Sequence, residues 1–325
     1  MSLVKYLKPK KMYRILIFSC MVLSFWQCKE KSQEAIETVE STPEIQISLA
    51  QWSFHKALQS DKMTHMEFIK KAGEMGFGGV EYVNQFFKDK AQDTTYLAAM
   101  NQAAKAANVR QLLIMIDGEG YLADADSTKR TEAINNHLKW VDAAAFLGCH
   151  SIRVNAHGEG TAEEVSAAAV DGLSRLSKYA ATKNINVLVE NHGGYSSNGA
   201  WLANVMKTVN MPNCGTLPDF GNFCVKRKDG AMWGTPCIEE YDKYQGVAEL
   251  MPFAKAVSAK SYDFGELGYE TTIEYPKMIG IVKDAGYSGF IGVEYEGEST
   301  SEEDGIKATK ALIEKCLDEY KSGNQ

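Results

Sequence analysis

From residue 45 onward the chain alternates between short β-rich runs and longer amphipathic stretches, and no other feature restricts its fold so strongly. The β-rich runs are residues 45–53, 79–83, 112–116, 151–155, 185–190, 215–219, 256–261 and 290–295. Between them lie 64–75, 94–107, 128–147, 161–182, 198–209, 239–251, 272–285 and 301–320. The first of these carries Met66, Phe68, Ile69, Ala72 and Met75 at helical spacing. Several open on Thr, Ser or Asn, which cap free N–H groups, and several close on glycine (Gly76, Gly148, Gly286). Strict β–α alternation implies a parallel sheet. Eight such units over roughly 280 residues predict a single (β/α)8 TIM barrel, with residues 45–325 as one catalytic domain. An open doubly wound sheet is the alternative, but no glycine-rich phosphate loop follows the first run to support a nucleotide-binding version.

The first 28 residues read differently. Lys5, Lys8, Lys10, Lys11 and Arg14 precede an apolar stretch, 15–26, that is short for a membrane span. This is the pattern of a secretory signal, and residues 29–44 form a polar tether too poor in apolar groups to fold alone. Cys28 at the junction points to a lipidated bacterial lipoprotein, although Phe25-Trp26-Gln27 is a poor lead-in; Cys20 has a better lead-in but leaves a very short apolar run. An uncleaved anchor, or a signal cut without lipidation, is the alternative. In each version the barrel is exported: periplasmic, or held at a membrane by its N-terminus alone.

The chain carries a net charge of −7, and removing the five basic residues before Cys28, which have no acidic partners, leaves −12. That balance disfavours nucleic-acid binding, which rests on neutralising phosphates. Cys149, Cys214, Cys224, Cys237 and Cys316 lie beyond the tether, an odd number with no CxxC pair. Neither a disulfide framework nor a structural zinc site is expected, though one bridge, such as Cys224–Cys237, is compatible with an oxidising compartment.

In such barrels the reacting groups sit at the C-terminal ends of the strands. Here those ends are uniformly ionisable or polar. They carry Glu81, then Arg153, Asn155 and His157, then Glu190 and His192, then Asp219 and Asn222, then Ser258, Lys260 and Asp263, and finally Glu294 and Glu296. A carboxylate closing an apolar run such as VLVE is costly to bury alone, and several acids at one mouth repel each other. A divalent cation relieves both: Mn²⁺ or Mg²⁺ by oxygen donors, Zn²⁺ or Co²⁺ if a histidine joins.

Glu190 in its ENH context, Asp219 in L-x-D-x-G-N and Glu294 closing the last strand resemble the metal ligands of the xylose isomerase-like superfamily, over about residues 45–320. That resemblance implies a metal held by Glu190, Asp219 and Glu294, with Glu190 and Glu294 flanking the substrate carbon and exchanging its proton. One departure stands out. Where the family has a histidine two residues before a lysine, this chain has Ser258 before Lys260, so the fourth ligand is lost. Lys260, if it points inward, offers an ammonium in partial replacement.

The expected activity is isomerisation or epimerisation of a non-phosphorylated, keto-type sugar through an enediolate. Glu190, Glu294 and Lys260 carry the chemistry, and His192, Arg153, Glu81, Trp52 and Gln51 hold substrate. Trp52, Phe220 and Trp233 are candidates to stack on a sugar. A lyase or hydrolase using the same acids, and a sugar-binding lipoprotein without catalysis, are the competing readings. The acidic runs 159–164 and 296–304 read as solvated helix starts, and His65, His137 and His150 as solvated or capping.

Overall fold

The computed structural model describes residues 44–323; the expected signal, Cys28 and nearly all of the tether lie outside the described residues. Eight parallel strands alternate with helices. The strands are β1 (Gln46–Ala50), β2 (Gly79–Val83), β3 (Arg110–Met115), β4 (Ser151–Val154), β5 (Asn186–Glu190), β6 (Cys214–Leu217), β9 (Val257–Ser261) and β10 (Phe290–Tyr295). They run side by side in the order β6-β5-β4-β3-β2-β1-β10-β9. The two outer strands meet through Thr216 with Ala254 and Asp219 with Ser258, which closes the sheet into the expected (β/α)8 barrel.

The helices are α1 (His55–Gln59), α2 (His65–Glu74), α3 (Thr94–Ala107), α4 (Ser127–Leu147), α5 (Ala162–Ala181), α6 (Gly199–Val209), α7 (Lys243–Leu250), α8 (Tyr275–Asp284) and α9 (Glu302–Gly323). Their starts follow local chemistry. Thr64 and Thr161 form capping boxes with Glu67 and Glu164, and Asn198 caps α6. Apolar outer faces of the strands pack on the helices (Val80, Ile114, Ile152, Val187, Val293), while a smaller cluster of Ala50, Val83, Leu113, Met115, Leu188, Leu217 and Ala256 fills the barrel.

Three expectations are corrected. The first strand stops at Ala50, and Gln51–Phe54 turns into a 3-10 helix. The helix expected from 239 begins at Lys243, because Cys224–Arg227 (β7) and Cys237–Glu240 (β8) pair as an antiparallel hairpin closed by a Cys224–Cys237 disulfide. These strands are short and β8 is wholly exposed, so no apolar alternation announces them. His65 and His137 are buried rather than solvated: His65 lies among Tyr82, Phe87 and Tyr96, and burial alone depresses its imidazole to about 3.

Candidate active site

Alternation along each strand turns Glu81, Arg153, Glu190, Ser258, Lys260 and Glu294 into the barrel, and all are buried. Glu296 directly follows β10, and Asp117 and Asp219 stand just beyond β3 and β6, after Ile116 and Pro218. The turns after β5 and β6 interlock to fix these groups. Asn191 Nδ2 donates to the Asp219 carbonyl, and the Asp219 N–H donates back to Asn191 Oδ1 at 2.7 Å. Asp219 Oδ1 accepts from the N–H groups of Gly221 and Asn222, and Asn222 Nδ2 donates to Glu190 Oε1 at 2.9 Å. Gly221 must be glycine-sized, since a Cβ there would lie 2.7 Å from Lys260 Cγ.

Two cations serve six carboxylates. Arg153 donates to Asp117 Oδ1 at 2.8 Å, and its Nε lies 2.7 Å from Glu190 Oε2, a contact too poorly aligned to count as a hydrogen bond. Lys260 Nζ donates to Glu294 Oε1 at 2.7 Å and Glu296 Oε1 at 2.8 Å, and stands 4.0 Å from Asp219 Oδ2. Ser258 Oγ lies 2.7 Å from Asp219 Oδ2 and 3.0 Å from Glu294 Oε2. Glu81 has only Ser48 Oγ, at 2.6 Å.

The electrostatics follow from burial and this imbalance. Burial, with Glu294 and Asp219 nearby, lifts the Glu190 carboxyl to about 8 against the pull of Arg153. Burial lifts Asp219 to about 6, with Lys260 opposing and Glu294 adding to the rise, and lifts Glu81 to about 7. For Asp117 burial is outweighed by Arg153 and hydrogen bonds, which hold the carboxyl well below its usual range. Burial would discharge Lys260, but Glu294, Glu296 and Asp219 keep it firmly charged.

Asn155 joins β4 to β5. Its Nδ2 donates to Asp117 Oδ1 at 2.7 Å, so its Oδ1 faces His192 Nδ1 at 2.8 Å. An amide oxygen only accepts, which places the proton on His192 Nδ1 and leaves Nε2 as an acceptor. Burial, then the Arg153 charge, holds this imidazole far below its ordinary range, in the neutral form. Above these groups opens a cavity of about 610 Å³, floored by Arg153, His192, Asn222, Lys260 and Glu294 and rimmed by Trp52, Tyr121, His157 and Trp233.

The sequence model for the xylose isomerase-like TIM barrel matches residues 69–316. The chain belongs to this family. No curated protein sequence matches it significantly. Among solved structures, a D-tagatose 3-epimerase-like protein superposes with a TM-score of 0.67 at 13% identity, over 86% of this chain and 100% of the other. A 3-keto-D-glucoside 4-epimerase from E. coli gives 0.65 at 15% identity, over 84% and 100%. IolI with a bound zinc gives 0.66 at 13%, over 85% and 99%. Identities this low show a shared fold.

Within the family barrel, Glu190, Asp219 and Glu294 converge on one another, Arg153, His192, Lys260 and Glu294 line the cavity, and Trp52 lies at the rim beside His55. Gln51 and Glu81, expected beside the substrate, do not line the cavity. Gln51 is buried with its Oε1 taken by the Val83 N–H, and Glu81 lies in the barrel against Gly292, where a Cβ would come within 2.6 Å of its carboxylate. Phe220 is fully buried, edge-on to Tyr275, so it offers no stacking face. Glu296, read as solvated, pairs with Lys260. Asp117 was missed, although it ends the apolar run LLIMI in the same way that Glu190 ends VLV.

The donor chemistry fits a cation. Oxygens of Glu190, Asp219 and Glu294 all lie within 4.8 Å of one another, and ligands on opposite sides of a hard ion stand about 4–5 Å apart. The excess of buried acids over bases is the charge that such an ion would offset. These three carboxylates could therefore hold a divalent metal.

Proposed function

We propose that the protein is a sugar isomerase or epimerase acting on a non-phosphorylated keto sugar by proton transfer beside a carbonyl. The observation that carries the reading is the Glu190–Glu294 pair, two buried carboxyls with oxygens within 4.8 Å of each other and held by different partners: Glu294 lines the cavity, and Glu190 is held by Asn222 and Arg153, which line it. Glu294, gripped by Lys260 and Ser258, is placed to take the proton from carbon. Glu190, held by Asn222 and beside Arg153, is placed to return one to the other carbon or the other face. Lys260 and Arg153 stabilise negative charge developing on oxygen, and His192 Nε2 accepts from a sugar hydroxyl. Glu190, Asp219 and Glu294 would hold a divalent cation, which would supply Lewis-acid polarisation of the carbonyl. With Ser258 in place of an imidazole, the donors are all oxygen, which favours Mg²⁺ or Mn²⁺ over Zn²⁺.

A neutral substrate is supported by the cavity wall. Its cations Arg153 and Lys260 are both committed to carboxylates, and Asp117, Glu294, Glu296 and Glu298 border it, an environment that repels phosphate. Export of the barrel, with the N-terminus as the one membrane contact, is supported by the Cys224–Cys237 bridge, which persists in oxidising compartments.

The test has two parts. Metal content is measured in the purified protein and in Glu190→Ala; about one equivalent of Mn or Mg, lost in the variant, is expected. Keto sugars are then incubated with the protein in D₂O. Deuterium gained at carbon with the sugar otherwise intact, or epimerised, supports the proposal. Loss of water or of an aglycone makes the enzyme a lyase, and sugar binding without exchange makes it a binding protein.

A further inference from the structure

The cavity is larger than a monosaccharide requires. A hexose has ~12 non-hydrogen atoms and, at roughly two-thirds of the ~30 Å³ that a water molecule occupies in the liquid, fills about 240 Å³. The cavity holds about 610 Å³. Its floor carries the charged and hydrogen-bonding groups already assigned to the reacting sugar. Its rim is aromatic. Among the described residues, five large apolar side chains are left in water, and two of them, Tyr121 and Trp233, border this cavity.

Trp233 is placed there by construction. It rides on the loop between β7 and β8, whose ends the Cys224–Cys237 disulfide ties together. The loop is further closed by Lys228 N–H to the Pro236 carbonyl at 3.0 Å, and by Arg227 Nη1 to the Thr235 carbonyl at 2.8 Å. The Arg227 guanidinium covers the indole at 5.6 Å, and the His192 ring meets it at 4.5 Å between centroids. The barrel makes room for it at Gly193. That residue has φ +86°, and a Cβ there would lie 3.2 Å from the indole Cη2. A Trp held half in water by a cross-linked loop, directly above the site, offers an apolar platform with no interior role of its own. Arg227 lies over the indole but does not line the cavity, whose border is acidic (Asp117, Glu294, Glu296, Glu298), so an anionic group is repelled there and the ring that stacks is neutral.

We infer that the cavity has a second subsite, built by Trp233 and Tyr121, and that the substrate is a glycoside: a sugar whose anomeric oxygen carries a second neutral ring. The reactive ring occupies the floor, and the second ring stacks at the disulfide-closed loop. This rests on the floor being the site of the reacting sugar.

The experiment is a ligand-observed NMR titration of the oxidised protein with D-glucose and D-galactose, each free and as the phenyl β-glycoside. The expected result is a preference for the glycoside of about tenfold, which Trp233→Ala lowers about fivefold or more. The Cys224→Ser/Cys237→Ser double variant, which frees the loop ends, lowers it in the same direction. Equal affinity for both forms overturns the inference, as does a preference that Trp233→Ala leaves intact, or failure of all four compounds to bind. Deuterium exchange into keto sugars is read separately. Exchange without glycoside preference removes the subsite and keeps the acid–base reading; preference without exchange does the reverse.

Discussion

Glu81 offers the most direct test of how this barrel handles buried charge. Its carboxyl is fully buried, has a single hydrogen-bond donor, and is lifted by that burial to about 7. In the unfolded chain it titrates near 4.5. The folded protein therefore binds the proton more tightly, and this stabilises it at low pH. The contribution is present below about 4.5 and is lost as pH rises through about 7. Between pH 5 and pH 8.5 the loss amounts to roughly 2–3 kcal/mol from this one group. Glu81→Gln keeps the shape, which matters because Gly292 leaves no spare volume, and removes the titration. Its amide N–H groups gain no acceptor, so the variant is about 1 kcal/mol less stable at pH 5. Urea unfolding of both proteins at several pH values reads the outcome. The wild type should lose about 2–3 kcal/mol more than the variant across that range, so the curves cross and Glu81→Gln is the more stable protein at pH 8.5. Parallel curves would refute the reasoning and show that Glu81 titrates normally.

Glu294→Gln and Glu190→Gln should each slow proton exchange into substrate by about 10²–10⁴-fold, measured by deuterium incorporation, while sugar binding persists. Arg153→Met uncovers Asp117 and Glu190 together and should cost about 3–5 kcal/mol in denaturant unfolding at neutral pH. Lys260→Met removes a fixed positive charge from beside Glu294 and Asp219; calorimetry should show tighter Mn²⁺ binding, and turnover should fall.

The barrel was legible because eight strands and their helices keep separate hydrophobic periods, and because caps such as Thr64, Thr161 and Asn198 stand where the helices start. Glu190, Asp219 and Glu294 were legible because an acid closing an apolar run must face something polar. The same rule finds Asp117, once the run 112–116 is followed one residue further. Alternation gives the face of a strand but not the depth along the barrel axis, so Glu81 was read as a wall residue when it lies within the barrel. Gln51 fell outside prediction because the chain leaves the strand at Ala50. The Asn155–His192 bond spans two strands, and the hairpin carrying Trp233 is too short and exposed to leave a periodic trace.

The hoop of strands has a clasp. Seven neighbouring pairs are joined by strand ladders, whereas the β6 and β9 segments touch only at isolated bridges, one of them between Asp219 and Ser258. Backbone bonds from Ser258 N–H to the Pro218 carbonyl and from Phe220 N–H to the Ser258 carbonyl are joined there by the Ser258 hydroxyl on Asp219. The place where the ring is thinnest is thus also where the reacting groups gather. Anything bound between Asp219 and Glu294 spans the seam from the β6 end to β10, so filling the site is expected to stiffen the join. Amide protons along 216–220 and 254–258 should report it by exchanging more slowly when the clasp is filled.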